Sequence, residues 1–342
     1  MNKNKIFNNK SILITGGTGS FGKCFIETVL KKYHPRKLIC FSRDELKQFE
    51  MHQKLKHLDK KKVLRFFIGD VRDKERLDSA FRDVNIVIHA AALKQVVAAE
   101  DNPFEVVKTN VLGTQNVAEA ILKNPVEKGI FLSTDKAVSP INLYGATKLA
   151  AEKLFISSNA YNAFKKFSVV RYGNVFFSRG SVVPTIIKND TFELTDEQMT
   201  RFNISLQDAV NLVINSINRM WGGETFIPKM PSLKIVDLFK ALSKTKKMKK
   251  IGIRPGEKIH EQLISKNDSS TIIEFKDYFV ILPTVLTHIN WKLSDFIKKS
   301  GSTKGKMCKR FFEYHSGNNS WFLNQNEIKK IYRDQMNNMD YE

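Results

Sequence analysis

The stretch Ser11-Ile12-Leu13-Ile14-Thr15, followed at once by Gly16-Gly17-Thr18-Gly19-Ser20-Phe21-Gly22, limits the fold more than any other part of the chain. A compact β-rich run, a glycine turn and a helical pattern from Lys23 to Lys31 come in the order that opens a parallel α/β sheet. The glycines fall at 16, 19 and 22, a spacing distinct from G-x-G-x-x-G. Glycines let the backbone approach a dinucleotide pyrophosphate, and the helix N-terminus offers unpaired N–H groups and a favourable dipole. The expected fold class is α/β, a Rossmann-type doubly wound parallel sheet with a smaller C-terminal substrate-binding α/β portion.

The next strand, Lys37 to Phe41, ends in Ser42-Arg43-Asp44. An acidic residue here accepts adenosine ribose hydroxyls, whereas an arginine favours a 2′-phosphate, so Arg43 points to NADP over NAD. Asp44 either caps the helix starting near Glu45 or reaches a ribose. Val63 to Ile68 reads as a third strand, ending before Asp70, which can meet an adenine amino group or cap the helix of Lys74 to Phe81. Asn85 to His89 is a fourth, running into Ala90-Ala91-Ala92-Leu93-Lys94; the small side chains admit a cofactor, and Lys94 faces the cleft. Asn110 to Thr114 opens the following helix.

A fifth apolar run, Gly129 to Leu132, delivers Ser133-Thr134-Asp135-Lys136 to a strand's C-terminal end, where open α/β sheets hold ligands. Downstream, Leu143 to Leu154 has helical spacing that puts Tyr144 and Lys148 one turn apart on a single face. An ammonium beside a phenol eases its ionisation, and a phenolate takes a proton from a sugar hydroxyl. After the strand Phe167 to Arg171, Asn174 can offer an amide to a sugar hydroxyl or N-acetyl group, or serve as a turn residue beside Gly173.

The chain is 342 residues, 42% hydrophobic, long enough for roughly two domains. Residues 1–175 are expected to form the NADP-binding domain with 203–226 packing back on it, 176–202 and 227–282 a substrate-binding portion, and 283–342 a C-terminal extension. Helices are expected over Ser205 to Trp221, from a Ser232 cap through Leu242, and over Gln325 to Asn338, with Trp321 and Phe322 anchoring the tail. No apolar run reaches the ~20 residues of a membrane span, and Cys24, Cys40 and Cys308 make neither a disulfide framework nor a metal motif. A cytoplasmic protein without an integral membrane segment or metal is expected. The net charge of +21 invites a nucleic-acid reading, but the cations are spread along the chain, dense only at Lys244 to Lys250, with no nucleic-acid motif.

Thr15 to Gly22, Tyr144 with Lys148, and Ala90 to Ala92 resemble the extended short-chain dehydrogenase/reductase superfamily. More narrowly, the chain resembles the inverting UDP-N-acetylglucosamine 4,6-dehydratases that begin pseudaminic acid synthesis for flagellin glycosylation. The strings that carry this are Phe41 to Lys47, Ala91 to Lys94, Ser133 to Ala137, Pro140 to Gly145, Met199 to Phe202 and Gly252 to Lys258. Retaining relatives carry Thr-Asp-Glu where this chain has Thr134-Asp135-Lys136, and capsule-type dehydratase/5-epimerases carry methionine where Tyr144 stands. Gln95 resembles the capsule type. A UDP-sugar 4-epimerase and a non-catalytic NADP-binding scaffold are the other readings.

The resemblance implies cofactor contacts from Gly16, Thr18, Gly19, Ser20, Phe21, Gly22, Ser42, Arg43, Asp44, Glu45, Leu46, Lys47, Asp70, Val71, Ala90, Leu132, Ser133, Tyr144, Lys148, Val175, Ser178 and Arg179. It implies UDP-N-acetylglucosamine contacts from Lys94, Asn174, Arg201, Arg254 and Glu257, with Lys258 beside them, and a homo-oligomer, dimer or hexamer. In the implied chemistry Tyr144, helped by Lys148, takes the C4 hydroxyl proton during oxidation, and Thr134 bonds the C4 oxygen. Lys136 then takes the C5 proton as a neutral amine, its pKa depressed by burial and Lys148, and a protonated Asp135 protonates the leaving C6 hydroxyl.

Overall fold

The computed structural model describes residues 5–176, 181–243, 247–283, 291–299 and 304–339. The first half alternates β1 (Ser11–Thr15), α1 (Ser20–Lys32), β2 (Lys37–Ser42), α2 (Glu45–Leu55), β3 (Leu64–Ile68), α3 (Lys74–Ala80) and β4 (Ile86–His89). Two short helices, α4 (Val96–Asp101) and α5 (Pro103–Val107), lead through a π-helical turn at Lys108–Leu112 into α6 (Gly113–Lys123). Then come β5 (Lys128–Thr134), α7 (Leu143–Ser157) and β6 (Lys166–Tyr172). The helix expected to open at Asn110 therefore starts earlier. Asn110 instead faces the loop after β4, accepting from Leu93 N–H at 2.8 Å and donating to the Leu93 carbonyl at 2.9 Å.

The second half contains β7 (Asn174–Val175), α8 (Val182–Lys188), β8 (Thr191–Leu194), β9 (Thr200–Ile204), α9 (Leu206–Arg219), β10 (Thr225–Pro228), β11 (Ser232–Lys234) and α10 (Ile235–Leu242). It continues with β12 (Lys247–Lys250), β13 (Gln262–Ile264), β14 (Ile272–Glu274), β15 (Tyr278–Ile281), α11 (Leu293–Lys299), β16 (Lys306–Met307), β17 (Tyr314–His315) and α12 (Gln325–Met339).

One sheet of ten strands runs in the order β16-β14-β15-β10-β6-β5-β4-β1-β2-β3. From β3 to β10 every pairing is parallel, and β15, β14 and β16 add an antiparallel edge. The central strands are buried on both faces, which is why they read as unbroken apolar runs. One face carries α1 and α9 over Ile12, Ile14, Phe25 and Val213; the other carries α3, α6 and α7 over Leu13, Val87, Phe131 and Phe155. Each such side chain, fully removed from water, contributes on the order of 1.5–3 kcal/mol. This is the Rossmann-like doubly wound arrangement.

Two boundaries need correcting. Residues 272–281, assigned by sequence to the substrate-binding portion, extend the main sheet because β14 and β15 continue its hydrogen-bonded edge. Residues 304–339, assigned to an extension, are woven into the body: β16 pairs with β14, β17 with β13, and Leu323 and Ile328 join the core under α10. Trp321 and Phe322 hold the tail through backbone, not rings; Ser232 N–H donates to the Trp321 carbonyl at 2.8 Å while both rings stay exposed. Ser232 lies in β11 and does not cap α10, whose N-cap is Lys234.

Candidate active site

A cleft of about 1820 Å³ follows the C-terminal ends of the parallel strands, from the glycine turn after β1 to the small sheets of the second half. At one end, Gly16 adopts φ +67°, and a Cβ there would come within 2.9 Å of the Ala91 backbone. Only glycine fits this crossing. The helix behind it has Gly19 as N-cap and no side-chain cap, whereas α2, α3 and α7 are capped by Asp44, Asp73 and Asn142. The open first turn of α1 faces the cleft through Ser20, Phe21 and Gly22, and its free N–H groups suit a pyrophosphate. A dinucleotide fits these residues.

Thr18, Ser42, Arg43, Asp44, Lys47, Asp70, Val71 and Ala90 line the same end. Asp44 caps α2, accepting from Lys47 N–H at 2.9 Å, and it also pairs with the Lys47 ammonium. Arg43 is exposed and lies 3.6 Å from Asp70. Asp70 does not cap α3, a role Asp73 takes by accepting from Arg76 N–H; Asp70 grips Arg72 instead. Burial raises the Asp70 carboxyl, but bonds from Arg72 and the charge of Arg43 hold it below its ordinary value. Leu46, 65% exposed, and Glu45, also exposed, stand on the first turn of α2 outside the cleft lining. Ser178 and Arg179 lie outside the described residues.

Mid-cleft, β5 delivers Leu132, Ser133 and Thr134, and a single 3-10 turn follows with Asp135 and Lys136. Asp135 is fully buried, whereas Lys136 retains 22% of its side-chain exposure and lines the cleft. Helix α7 comes against this turn at Gly145, where a Cβ would sit 2.2 Å from the Lys136 carbonyl oxygen. That contact lets Tyr144 enter the same wall.

Lys136 Nζ donates to Asp135 Oδ1 at 3.0 Å and Asn174 Oδ1 at 3.3 Å, and lies 3.3 Å from Glu261 Oε1. Thr134 Oγ1 also donates to Asp135 Oδ1, at 3.0 Å. Burial opposes the ammonium, yet Asp135 and Glu261 outweigh it and the Lys136 pKa is raised. This corrects the expectation of a lysine depressed by burial and Lys148: the resting residue is a cation held by two carboxylates. Burial, reinforced by Glu261, raises Asp135 against the pull of Lys136, a direction that favours the protonated acid. Burial also raises Glu261, but Lys136, Arg201 and Lys258 reverse it and keep the carboxylate ionised.

Tyr144 and Lys148 both line the cleft from α7. Lys148 Nζ donates to the Leu132 carbonyl at 2.6 Å and stands 3.8 Å from the Phe131 ring centre. Burial draws it down to about 7, with Glu152 opposing. Burial pushes Tyr144 up to about 12, and the cation drawing it back is Lys136. Lys136 thus acts on the phenol as well, a contribution that the sequence expectation, which named Lys148, did not include.

Lys94, Asn174, Val175, Arg201, Arg254 and Glu257 line the far end. Burial, then Lys136, lowers the Lys94 pKa. Arg201 is buried and donates to the carbonyls of Thr200 and Ile259; Arg254 pairs with Glu193 at 2.6 Å, and Glu257 accepts from Thr195 at 2.8 Å. Lys258 does not line the cleft, since its ammonium donates to the Val138 carbonyl at 2.6 Å. Sequence reasoning missed Glu261; the available signal was an acidic residue three positions after the Gly252 to Lys258 string, just before a strand.

Among known proteins, the polysaccharide biosynthesis protein family matches residues 12–283. The chain is 51% identical over 333 residues to a Campylobacter jejuni protein named UDP-N-acetylglucosamine 4,6-dehydratase (inverting), covering 95% of this chain and 98% of that one. It is 38% identical to a Rickettsia bellii UDP-glucose 4-epimerase over 98% of each. Among solved structures, Pen from Bacillus thuringiensis superposes with TM-score 0.86 at 35% identity, over 97% of this chain and 99% of that one. On its sequence, sheet order and cleft, the chain belongs to the polysaccharide biosynthesis protein family, on a short-chain dehydrogenase/reductase-type fold.

Proposed function

We propose that the protein is an NADP-dependent hydro-lyase that removes water across C5 and C6 of UDP-N-acetylglucosamine after oxidation at C4, with inversion at C5. The product is UDP-2-acetamido-2,6-dideoxy-beta-L-arabino-hexos-4-ulose. The observation that carries this reading is Lys136, facing the cleft and bonded to the buried Asp135, beside Tyr144. A bound nicotinamide dinucleotide supplies a site that accepts a hydride and gives it back, so net redox is zero. Gly16, Gly19 and the open turn of α1 would hold its pyrophosphate.

The residues divide the proton work. Tyr144 takes the C4 hydroxyl proton, with Thr134 at the C4 oxygen. Once C4 is a ketone the C5 hydrogen is acidic. The proton on Lys136 crosses its 3.0 Å contact to Asp135, leaving an amine and a carboxylic acid. The amine removes the C5 proton, and Asp135 protonates the C6 hydroxyl as it leaves as water; return of the hydride to C6 with a proton reaching C5 from the opposite face would give the inverted product. Arg201, Arg254 and Lys94 supply positive charge for the diphosphate end. NADP over NAD is supported by Arg43, exposed at the end of β2, while Asp44 is engaged as a cap.

The Campylobacter relative supports the inverting dehydration, and the motif strings support a place at the first step of pseudaminic acid synthesis for flagellin glycosylation. A cytoplasmic homo-oligomer, dimer or hexamer, completes this reading. A 4-epimerase is the second reading, favoured by the Rickettsia relative. Incubating the protein with UDP-N-acetylglucosamine in deuterated water decides by NMR: the dehydratase incorporates deuterium at C5 and loses the C6 hydroxyl. An unaltered C6 with inversion at C4 refutes it in favour of the epimerase.

A further inference from the structure

The Glu261 carboxylate has no part in the division of labour above, yet it lies 3.3 Å from the ammonium on which that division turns. It is 4% exposed, and its second oxygen, Oε2, is buried without a hydrogen-bond partner. Leaving a carboxylate oxygen dry and unbonded is costly unless the charge is used. The backbone around it is fixed from the far end of the chain. Glu261 N–H donates to Ser316 Oγ at 3.0 Å, Ser316 N–H donates to the Glu261 carbonyl at 2.8 Å, and Ser316 Oγ donates to the Thr200 carbonyl at 3.1 Å. Ser316 follows β17, so the C-terminal segment clamps a buried charge behind the cleft wall, against Lys136.

We infer that Glu261 is a positioning residue for the dehydration, a fixed negative charge that keeps one mobile proton within the Lys136–Asp135 pair. The inference rests on the dehydratase reading. Two arrangements hold the same protons. In the first, Lys136 is an ammonium and Asp135 a carboxylate; in the second, the proton has crossed and they are an amine and an acid. With Glu261 ionised, both carry one net negative charge, so the crossing needs no exchange with water.

Elimination proceeds from the second arrangement and restores the first. The lysine nitrogen gains the C5 proton, the C–H electron pair passes into the enolate of the 4-ketone, and the C5–C6 double bond forms as C6–O breaks. The Asp135 proton leaves with that oxygen as water. Without the charge at 261 the pair gives its mobile proton to solvent at lower pH, and neither arrangement survives. Other charged or titratable groups face the cluster: Arg201 and Lys258 towards Glu261, Lys94 and Tyr144 towards Lys136. All of these remain in the variants below.

The test is the pH dependence of kcat for dehydration in wild type, Glu261→Gln and Glu261→Asp, with C5 deuterium uptake followed in parallel. The basic limb of Glu261→Gln is expected to move to lower pH by about one to three units. Glu261→Asp, which keeps the charge on a shorter arm, should return most of the way towards wild type. Reduced-cofactor accumulation in a single turnover, which reports C4 oxidation, should persist in both variants. Superimposable pH profiles overturn the inference, as does loss of C4 oxidation and C5 exchange alike in a folded Glu261→Gln protein. If Glu261→Gln does not fold, an unshifted basic limb in Glu261→Asp overturns it equally. Wild-type protein that takes up no deuterium at C5 removes the dehydratase reading itself, a different result.

Discussion

Replacing Lys136 by methionine keeps the length of the side chain and deletes the charge that two buried carboxylates share. The contacts are 3.0 Å to Asp135 and 3.3 Å to Glu261. At an effective dielectric of ~20 each attraction is worth about 5 kcal/mol before the cost of drying the ammonium is subtracted. Asp135 is fully buried and Glu261 nearly so, so truncating their cation should cost about 3–5 kcal/mol. The sign with pH follows from the carboxylates. In wild type, Glu261 is held below its ordinary value, so its contribution is present above the unfolded pKa and lost as pH falls. In the variant, Asp135 is left buried beside Glu261 without its cation and titrates above its unfolded value of about 4, so stability drains away as pH rises through that raised pKa, while Glu261 keeps Arg201 and Lys258. The deficit should therefore widen from pH 5 to pH 8. At about 2 °C per kcal/mol for a chain of this size, the expected loss is about 6–10 °C in Tm at pH 8 and less than half that at pH 5. Differential scanning fluorimetry across that range measures it. Equal losses at both pH values, or none, would refute the picture of Lys136 as the shared counter-ion.

Lys148→Met should abolish turnover yet stabilise the free protein at neutral pH, because the lysine is 3% exposed and drawn down to about 7. Below pH 7 the lysine is charged in both folded and unfolded states and the burial penalty is complete; it fades as pH climbs to about 10.5. The gain, at most about 5 kcal/mol less about 1–2 for an unpaired Leu132 carbonyl, should shrink over that interval in chemical denaturation. Gly145→Ala forces a Cβ to within 2.2 Å of the Lys136 carbonyl oxygen, so α7 must shift. A stability loss of about 1–3 kcal/mol with a drop in kcat of at least about tenfold is expected. Arg43→Ala should weaken NADP binding about tenfold and leave NAD binding unchanged in a fluorescence titration, since only the 2′-phosphate is recognised there. Equal effects on both cofactors would place Arg43 in a structural role.

The parallel half was legible because each of its buried strands is a contiguous apolar run and each glycine or cap sits beside the element it ends. Ser11–Thr15 reads as a strand and forms one with those bounds. The mid-cleft group was legible as a group, since Thr134 to Lys136 and Tyr144 to Lys148 are near in sequence. The charge state of Lys136 was not. It depends on Glu261, 125 residues downstream, which a local reading has no means of bringing within 3.3 Å. For the same reason Lys258 was read with a diphosphate in place of the Val138 carbonyl, 120 residues away in sequence.

Sequence alone determined the order of strands and helices through most of the parallel half, the glycine crossing at 16, and which polar residues emerge at the ends of β5 and α7. These follow from periodicity and backbone sterics, which act over a few residues. Only the tertiary structure decided which carboxylate meets which ammonium, and that the last β-pairings of the chain hold Glu261 beside Lys136. Burial and Coulomb energy depend on distances through space, and those are set when the C-terminal segment closes against the sheets.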